Sequence, residues 1–233
     1  MKAIKLLFIE DDVNLGYIIK NTMEDLIGGY EVDIALNGEK GLEHLQSFVP
    51  DIIVTDIEMP VMNGFEMVKK IRQTNLDLPV IFASGKVSPK DVTLGYEAGA
   101  DNYIKKPFTP EELDAHIKAL IILKSNSRIR LKNTIYSIGK YTFSPKSLIL
   151  TYNDSEKTKL TSRESCILEL LLQHKGDIVK REYLLKTFWD SKVDNFYTSR
   201  SLDVFITKLR KYLSKDSSIS IKNVKQVGLI LDF

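Results

Sequence analysis

Short apolar runs alternate with amphipathic segments through the first half of the chain. Strand-like runs fall near 4–9, 31–35, 51–55, 79–83 and 101–104. Segments with helical spacing of apolar residues fall near 13–27, 38–48, 64–74, 89–98 and 109–123. Strands four to six residues long, each followed by a helix, need crossover connections, so the pattern predicts a five-stranded, doubly wound parallel α/β sheet. Turn residues agree: Gly28 and Gly29 follow the first helix, and Pro50 and Pro79 precede the third and fourth strands. The second half reads differently. Residues 135–160 hold short strand-like runs that predict a small antiparallel sheet. Thr161-Ser162-Arg163-Glu164 is a capping box opening a helix through Leu172, because the Thr161 hydroxyl and the Glu164 carboxylate can each satisfy the other's amide. Helices near 180–188 and 199–214 and a hairpin at 219–232 complete an α+β, winged-helix order of elements.

Charge separates the same halves. The 233-residue chain has a net charge of +2. Residues 1–123 carry 12 Lys and Arg against 20 Asp and Glu, a net of −8, and residues 124–233 carry 21 against 11, a net of +10. The division predicts a domain at 1–123, a polar and basic linker at 124–133, and a basic domain at 134–233 suited to nucleic acid. The one cysteine, Cys166, lies in an apolar helix and reads as a core thiol. The chain starts on a strand with no signal-like or membrane-spanning apolar segment, so a soluble, cytoplasmic protein is expected.

The chemistry gathers at strand ends. Asp56 follows the apolar run Ile52-Ile53-Val54-Thr55, and Glu10-Asp11-Asp12 follows the first strand. Lys106 follows the last strand and Ser84 closes Val80-Ile81-Phe82-Ala83. Ligands of open α/β sheets bind at such carboxyl ends. Carboxylates from two strands can share a Mg²⁺, with Asp11 the direct ligand and Glu10 acting through water. Asp56 then supplies a nucleophile, Lys106 a cation for phosphoryl oxygens, and Ser84 a hydroxyl that can turn onto a new phosphate. Asp12 is expected to cap the first helix.

These residues form the segments Phe8-Ile9-Glu10-Asp11-Asp12, Asp56-x-x-Met59-Pro60-x-x-x-Gly64, Ser84, and Gly99-Ala100-Asp101-x-Tyr103-x-x-Lys106-Pro107-Phe108. They resemble the receiver domain of two-component response regulators. The resemblance implies Asp56 as phosphoacceptor and Glu10, Asp11, Asp56 and the Glu58 backbone carbonyl as metal ligands. It implies Ser84 and Tyr103 as a switch pair in which Tyr103 turns from exposed to buried, Lys106 as the phosphate contact, and a cis Lys106-Pro107 bond. Phosphate on Asp56 would remodel the surface of the fourth helix, fifth strand and fifth helix, through which relatives dimerise. Here His116 stands where an arginine is common, and Ile122 should be exposed, so a more apolar partner surface is expected.

In the basic half, Leu202, Phe205, Ile206, Leu209 and Leu213 fall on one helical stripe. Arg200, Val204, Thr207, Lys208 and Lys211 fall on the other. Such a face suits the major groove: Arg200 or Lys208 for guanine, Val204 or Thr207 for a thymine methyl. The segments Leu160-Thr161-x-x-Glu164, Val179-x-Arg181-Glu182-x-Leu184, Trp189, Arg200-Ser201-Leu202-Asp203-Val204 and Val224-x-x-Val227-Gly228 resemble the winged-helix effector of the OmpR/PhoB type. That resemblance implies a recognition helix including Ser201, wing cations Lys222 and Lys225, and a loop at 189–198 facing RNA polymerase. Trp189 and Tyr183 are expected in the core. The wing reads Lys225-Gln226-Val227-Gly228-Leu229 where relatives carry a further glycine, which puts its turn in question.

The reading is a transcriptional regulator, not an enzyme. A sensor histidine kinase would phosphorylate Asp56, and a dimer would bind tandem promoter half-sites. The alternative is an orphan regulator of the same fold that works without phosphate. An aspartyl-nucleophile phosphatase is disfavoured, because such enzymes usually place a second Asp two residues on and this chain has Glu58.

Overall fold

A computed structural model describes residues 2–86, 88–129, 134–189 and 196–233, without the side chains of 126–129 and 196–198. The chain divides into two compact units, Met1–Ile121 and Ile122–Phe233.

The first unit contains β1 (Ile4–Ile9), β2 (Tyr30–Ala35), β3 (Ile52–Thr55), β4 (Val80–Ser84) and β5 (Asn102–Lys105). All pair in parallel, in the order β2-β1-β3-β4-β5. Burial on both faces explains the uninterrupted apolar runs: Leu6 to Ile9, Ile52 to Val54 and Val80 to Phe82 are sealed from solvent. Around the sheet lie α1 (Val13–Asn21), α2 (Gly38–His44), α3 (Gly64–Thr74), α4 (Pro89–Ala98) and α5 (Pro110–Ile129). The strand order reverses beside β1, whose Ile9 lies in register with Thr55 of β3. Glu10 and Asp56 therefore leave the sheet side by side. α3 can begin close behind them only because residue 64 is glycine, since a Cβ there would stand 2.2 Å from the Asp56 carbonyl oxygen.

The first two helices depart from expectation. The first changes after Asn21 into a π-helical turn, Thr22–Ile27, which precedes the left-handed pair Gly28 and Gly29. The second ends at His44 rather than near 48, the chain passing into turns stabilised by Gln46 N–H to Glu43 O at 3.0 Å and Ser47 N–H to His44 O at 3.1 Å. α5 runs on to Ile129, so the first part of the expected linker is helical; residues 130–133 lie outside the described residues.

The second unit opens with an antiparallel sheet of β6 (Tyr136–Ile138), β7 (Tyr141–Ser144), β8 (Ile149–Tyr152) and β9 (Glu156–Lys159). α6 (Ser162–Gln173) follows, with both halves of the Thr161–Glu164 capping box formed. Then come β10 (Val179–Lys180), α7 (Arg181–Trp189), α8 (Phe196–Leu213), β11 (Ser220–Val224) and β12 (Gly228–Asp232). α8 starts three residues earlier than expected. The terminal hairpin is joined by β10, giving a three-stranded sheet of order β10-β12-β11. Its tip closes without the extra glycine: Gln226 takes the left-handed conformation (φ +60°) and Val227 N–H donates to Val224 O at 3.0 Å. The glycine that is kept serves packing, because a Cβ on Gly228 would lie 2.0 Å from Val179 O in the neighbouring strand. Among the described residues no helix is long and apolar enough to cross a membrane.

Candidate functional site

Four strand ends of the first unit converge. Glu10 follows β1 and is buried; Asp56 follows β3 and its amide donates to Ile9 O at 2.9 Å. Lys106, after β5, reaches across both, with Nζ 2.5 Å from Glu10 Oε2 and 2.6 Å from Asp56 Oδ2. The peptide between Lys106 and Pro107 is cis. Asp11 is exposed beside them, and one oxygen each from Glu10, Asp11 and Asp56 lie within 4.8 Å of one another. Asp12 takes no part: its Oδ1 accepts from the amides of Asn14 and Leu15 at 2.9 and 3.1 Å, capping α1.

Burial dominates the electrostatics here. It pushes the Glu10 carboxyl above the usual carboxylate range, opposed by the Lys106 hydrogen bond and charge and reinforced by Asp56 and Asp11. Burial alone would lower Lys106, but hydrogen bonds and charges from Asp56 and Glu10 outweigh it and hold the ammonium protonated. Three carboxylate oxygens beside one another form a hard, anionic donor set of the kind Mg²⁺ takes. Glu10, Asp11 and Asp56 fit that ion, with Lys106 competing for two of them.

The remaining pocket residues sit around this core. Glu58 N–H lies 3.3 Å from Asp56 Oδ1, which brings its peptide beside the acids. Its side chain turns away to Lys86 at 2.8 Å. Ser84 is buried at the end of β4 and its Oγ accepts from Lys86 N–H at 3.2 Å. Tyr103 is buried as well: its hydroxyl donates to the Lys86 carbonyl and its ring lies 6.2 Å from Phe82. The tyrosine thus occupies the inward position. Burial also raises its phenol well above the ordinary value. On the next helix Ile122 is exposed, and His116 shares a 2.7 Å hydrogen bond with Asn102.

A second cluster has almost no local signature in the sequence. Arg72 donates to Asp101 Oδ2 (2.8 Å), Gly99 O (2.8 Å) and Leu78 O (2.6 Å), and Asp101 Oδ2 also accepts the Val80 amide at 2.9 Å. These bonds hold the starts of β4 and β5 together. The only signal was an Asp within a longer motif, with nothing to name its partner.

In the second unit α8 presents a narrower outward face than the helical wheel predicted. Arg200, Thr207 and Lys211 are exposed, and so is Asp203. Ser201 and Val204, expected to face DNA, are buried. Lys208 is mostly buried and pairs with Glu164 Oε1 at 3.4 Å. The wheel assumed one packed side, whereas α8 touches α6, α7 and β11. Arg181, which had no assigned role, clamps the start of the helix. Its Nη1 donates to Asp203 Oδ1 at 2.8 Å and its Nη2 to Ser199 O at 2.6 Å. Lys225 is exposed in the hairpin turn, and Lys222 is exposed 4.0 Å from Asp232. Trp189 is in the core, its ring 5.8 Å from Phe205. Tyr183 is not: half of it is exposed, edge-on to His174. Of the loop expected to face RNA polymerase, residues 190–195 lie outside the described residues.

Comparison with known proteins agrees with both halves. Residues 6–118 match the family described as response regulator receiver domain, and residues 155–231 that described as transcriptional regulatory protein, C terminal. The chain is 38% identical over 227 residues to the transcriptional regulatory protein RprY of Bacteroides fragilis, covering 97% of this chain and 94% of that one. It is 30% identical over 237 residues to the alkaline phosphatase synthesis transcriptional regulatory protein PhoP of Bacillus subtilis, covering 98% and 96%. Among solved structures it resembles response regulator DrrB, a Thermotoga maritima OmpR/PhoB homolog, at 27% identity and a TM-score of 0.50, covering 99% and 100%.

Proposed function

Since the chain belongs to the two-component response regulators that join a receiver to a DNA-binding domain and act in transcriptional regulation, we propose that phosphorylation of Asp56 by a sensor histidine kinase switches it. The observation that carries this reading is Lys106 spanning Glu10 and Asp56 with Asp11 alongside. In the transfer, an Asp56 oxygen forms the new O–P bond as the phosphohistidine N–P bond breaks, and the imidazole leaves with the bonding pair. A Mg²⁺ held by Glu10, Asp11, Asp56 and the Glu58 carbonyl would neutralise charge on the phosphoryl oxygens.

The residues of the chain do the rest. Lys106 gives its ammonium to a phosphoryl oxygen, and Ser84 Oγ donates to another. Phosphorylation adds a charge of about −1.5 to −2 at Asp56. Converting a mostly inactive population to a mostly active one needs on the order of 5 kcal/mol of differential stabilisation. Ionic and hydrogen-bonded partners for the new phosphate are the source of that difference. The inward position of Tyr103 links the pocket to the surface of α4, β5 and α5, where a second copy would dock, Ile122 giving that surface an apolar element. The dimer would place one α8 in the major groove at each of two tandem half-sites, with Lys222 and Lys225 near the backbone. Contact with RNA polymerase through the segment at 189–198 and a cytoplasmic location complete the reading.

The test is binding to DNA selected by the wild-type chain, with and without a small-molecule phosphoryl donor and Mg²⁺. The donor should tighten binding about tenfold or more for wild type, within the usual range of coupling energies, and leave Asp56→Ala unchanged. Equal, donor-independent binding by both would overturn the switch. The inward Tyr103 would then favour the phosphate-independent reading.

A further inference from the structure

The outward face of α8 has an unusual order of chemistry. Along it stand Arg200, Asp203, Thr207 and Lys211, a cation, an anion, a neutral methyl-bearing residue and a cation. At 1.5 Å per residue the stripe is roughly 16 Å long, with Thr207 near its middle. On the reading that α8 enters the major groove, we infer that Thr207 determines specificity at the centre of each half-site by contacting the 5-methyl group of a thymine.

Three observations lead there. The other side chains fit to read a base at mid-helix are taken: Ser201 and Val204 are buried, and Lys208 is drawn under the helix by Glu164 at 3.4 Å. Thr207 spends its own proton within the helix, its Oγ1 donating to Asp203 O at 2.8 Å. The exposed side chain therefore has no donor to offer; it keeps an acceptor oxygen, turned back toward the helix by that bond, and a methyl group, which is the feature we assign to base contact. Finally, Asp203 is held in an ion pair by Arg181 at 2.8 Å, so one turn from Thr207 the charges cancel. An ion pair there gives phosphate no net attraction, so the middle of the helix favours base edges, while Arg200 and Lys211 carry the cations at either end. Thymine is the base that shows a methyl group in the major groove.

The experiment uses the full chain. Half-sites are selected from random duplex DNA by the wild-type protein, and each thymine in them is then replaced singly by deoxyuridine, which removes only the methyl. One position per half-site should weaken about fourfold for wild type, the worth of one buried methyl at ~0.8 kcal/mol. Thr207→Val, which keeps a methyl and drops the hydroxyl, should retain that thymine-over-uracil preference. Thr207→Ser, which keeps the hydroxyl and drops the methyl, should lose it. No uracil-sensitive position, or a preference kept by Ser and lost by Val, overturns the inference. Failure of the underlying reading looks different: sequence-specific binding would then survive Arg200→Ala, Thr207→Ser and Lys211→Ala combined, and Thr207 would be excluded with the helix.

Discussion

Lys106 Nζ stands 2.6 Å from Asp56 Oδ2 and in the same position caps a Glu10 oxygen. One ammonium thus bridges two carboxylates that a divalent cation would also use, offsetting only part of their charge. Lys106→Ala leaves those acids facing one another with no cation between them. Mg²⁺ should bind the variant more tightly, on the order of tenfold, equivalent to about 1.4 kcal/mol, while the effect of a phosphoryl donor on DNA binding disappears. Calorimetric titration with Mg²⁺ checks the first part. Unchanged or weaker affinity would mean that Lys106 does not compete for the site.

Arg72 and Asp101 form a pair of another kind, with side-chain exposures of 8% and 6%. Both are otherwise engaged by backbone: Arg72 with Gly99 and Leu78, Asp101 with the Val80 amide. Removing one partner strands the other in the interior, which costs roughly 3–5 kcal/mol. Asp101→Ala should therefore lower the stability of the first unit by that amount, read from chemical denaturation by circular dichroism. A loss below about 1 kcal/mol would show that water or rearrangement satisfies Arg72.

The contrast between these two clusters explains what the sequence discloses. Glu10, Asp56, Ser84 and Lys106 are legible because each follows a predicted strand, and the carboxyl ends of a parallel sheet converge whatever the loops do. Arg72 is not, because nothing local to a helix says that its last turn reaches the approach to β5, at Gly99 and Asp101, 27 and 29 residues away. α8 shows the same limit from its surface. Its apolar stripe was plain, yet contacts with α6, α7 and β11 widened the buried face and claimed Ser201, Val204 and Lys208. Gln226 marks a third case, where a left-handed turn formed without the glycine that usually signals one.

β2 is an edge strand, yet its outward backbone is already engaged. Val32 N–H donates to Glu24 at 2.7 Å and Val32 O accepts from Lys20 Nζ at 2.7 Å. Ile34 N–H is taken by Asp33 Oδ1 at 3.0 Å, and Asp33 is held in turn by His44 at 2.7 Å. Side chains that occupy an edge keep it from pairing with another chain. Removing the Val32 clamp with Lys20→Ala and Glu24→Ala together should produce self-association that rises with concentration. Sedimentation velocity checks this. A doubly substituted chain that sediments like the wild type would show that the clamp is not what guards the edge.

Asp216, between α8 and β11, gives the second unit a specific acid sensitivity. Its carboxylate accepts from Ser218 Oγ at 2.7 Å, Lys140 N–H at 2.7 Å and Ser218 N–H at 3.0 Å. The Ser218 hydroxyl first, then the two amides, hold its pKa below the ordinary 3.8. A carboxyl depressed in the folded state binds protons less readily than in the unfolded chain. Its contribution to stability is therefore complete above about pH 3.8 and is lost as pH falls through the lower folded value. Asp216→Asn cannot titrate, and its amide turns a donor toward Ser218 or Lys140. The variant should be less stable than wild type at neutral pH, and the gap should close as pH drops below about 3.8. Trp189, the one tryptophan of the chain, is buried in the same unit, so urea unfolding followed by its fluorescence reports the difference directly. A gap that stays constant through the acid range would assign the loss to packing and exclude the charge of Asp216 as its source.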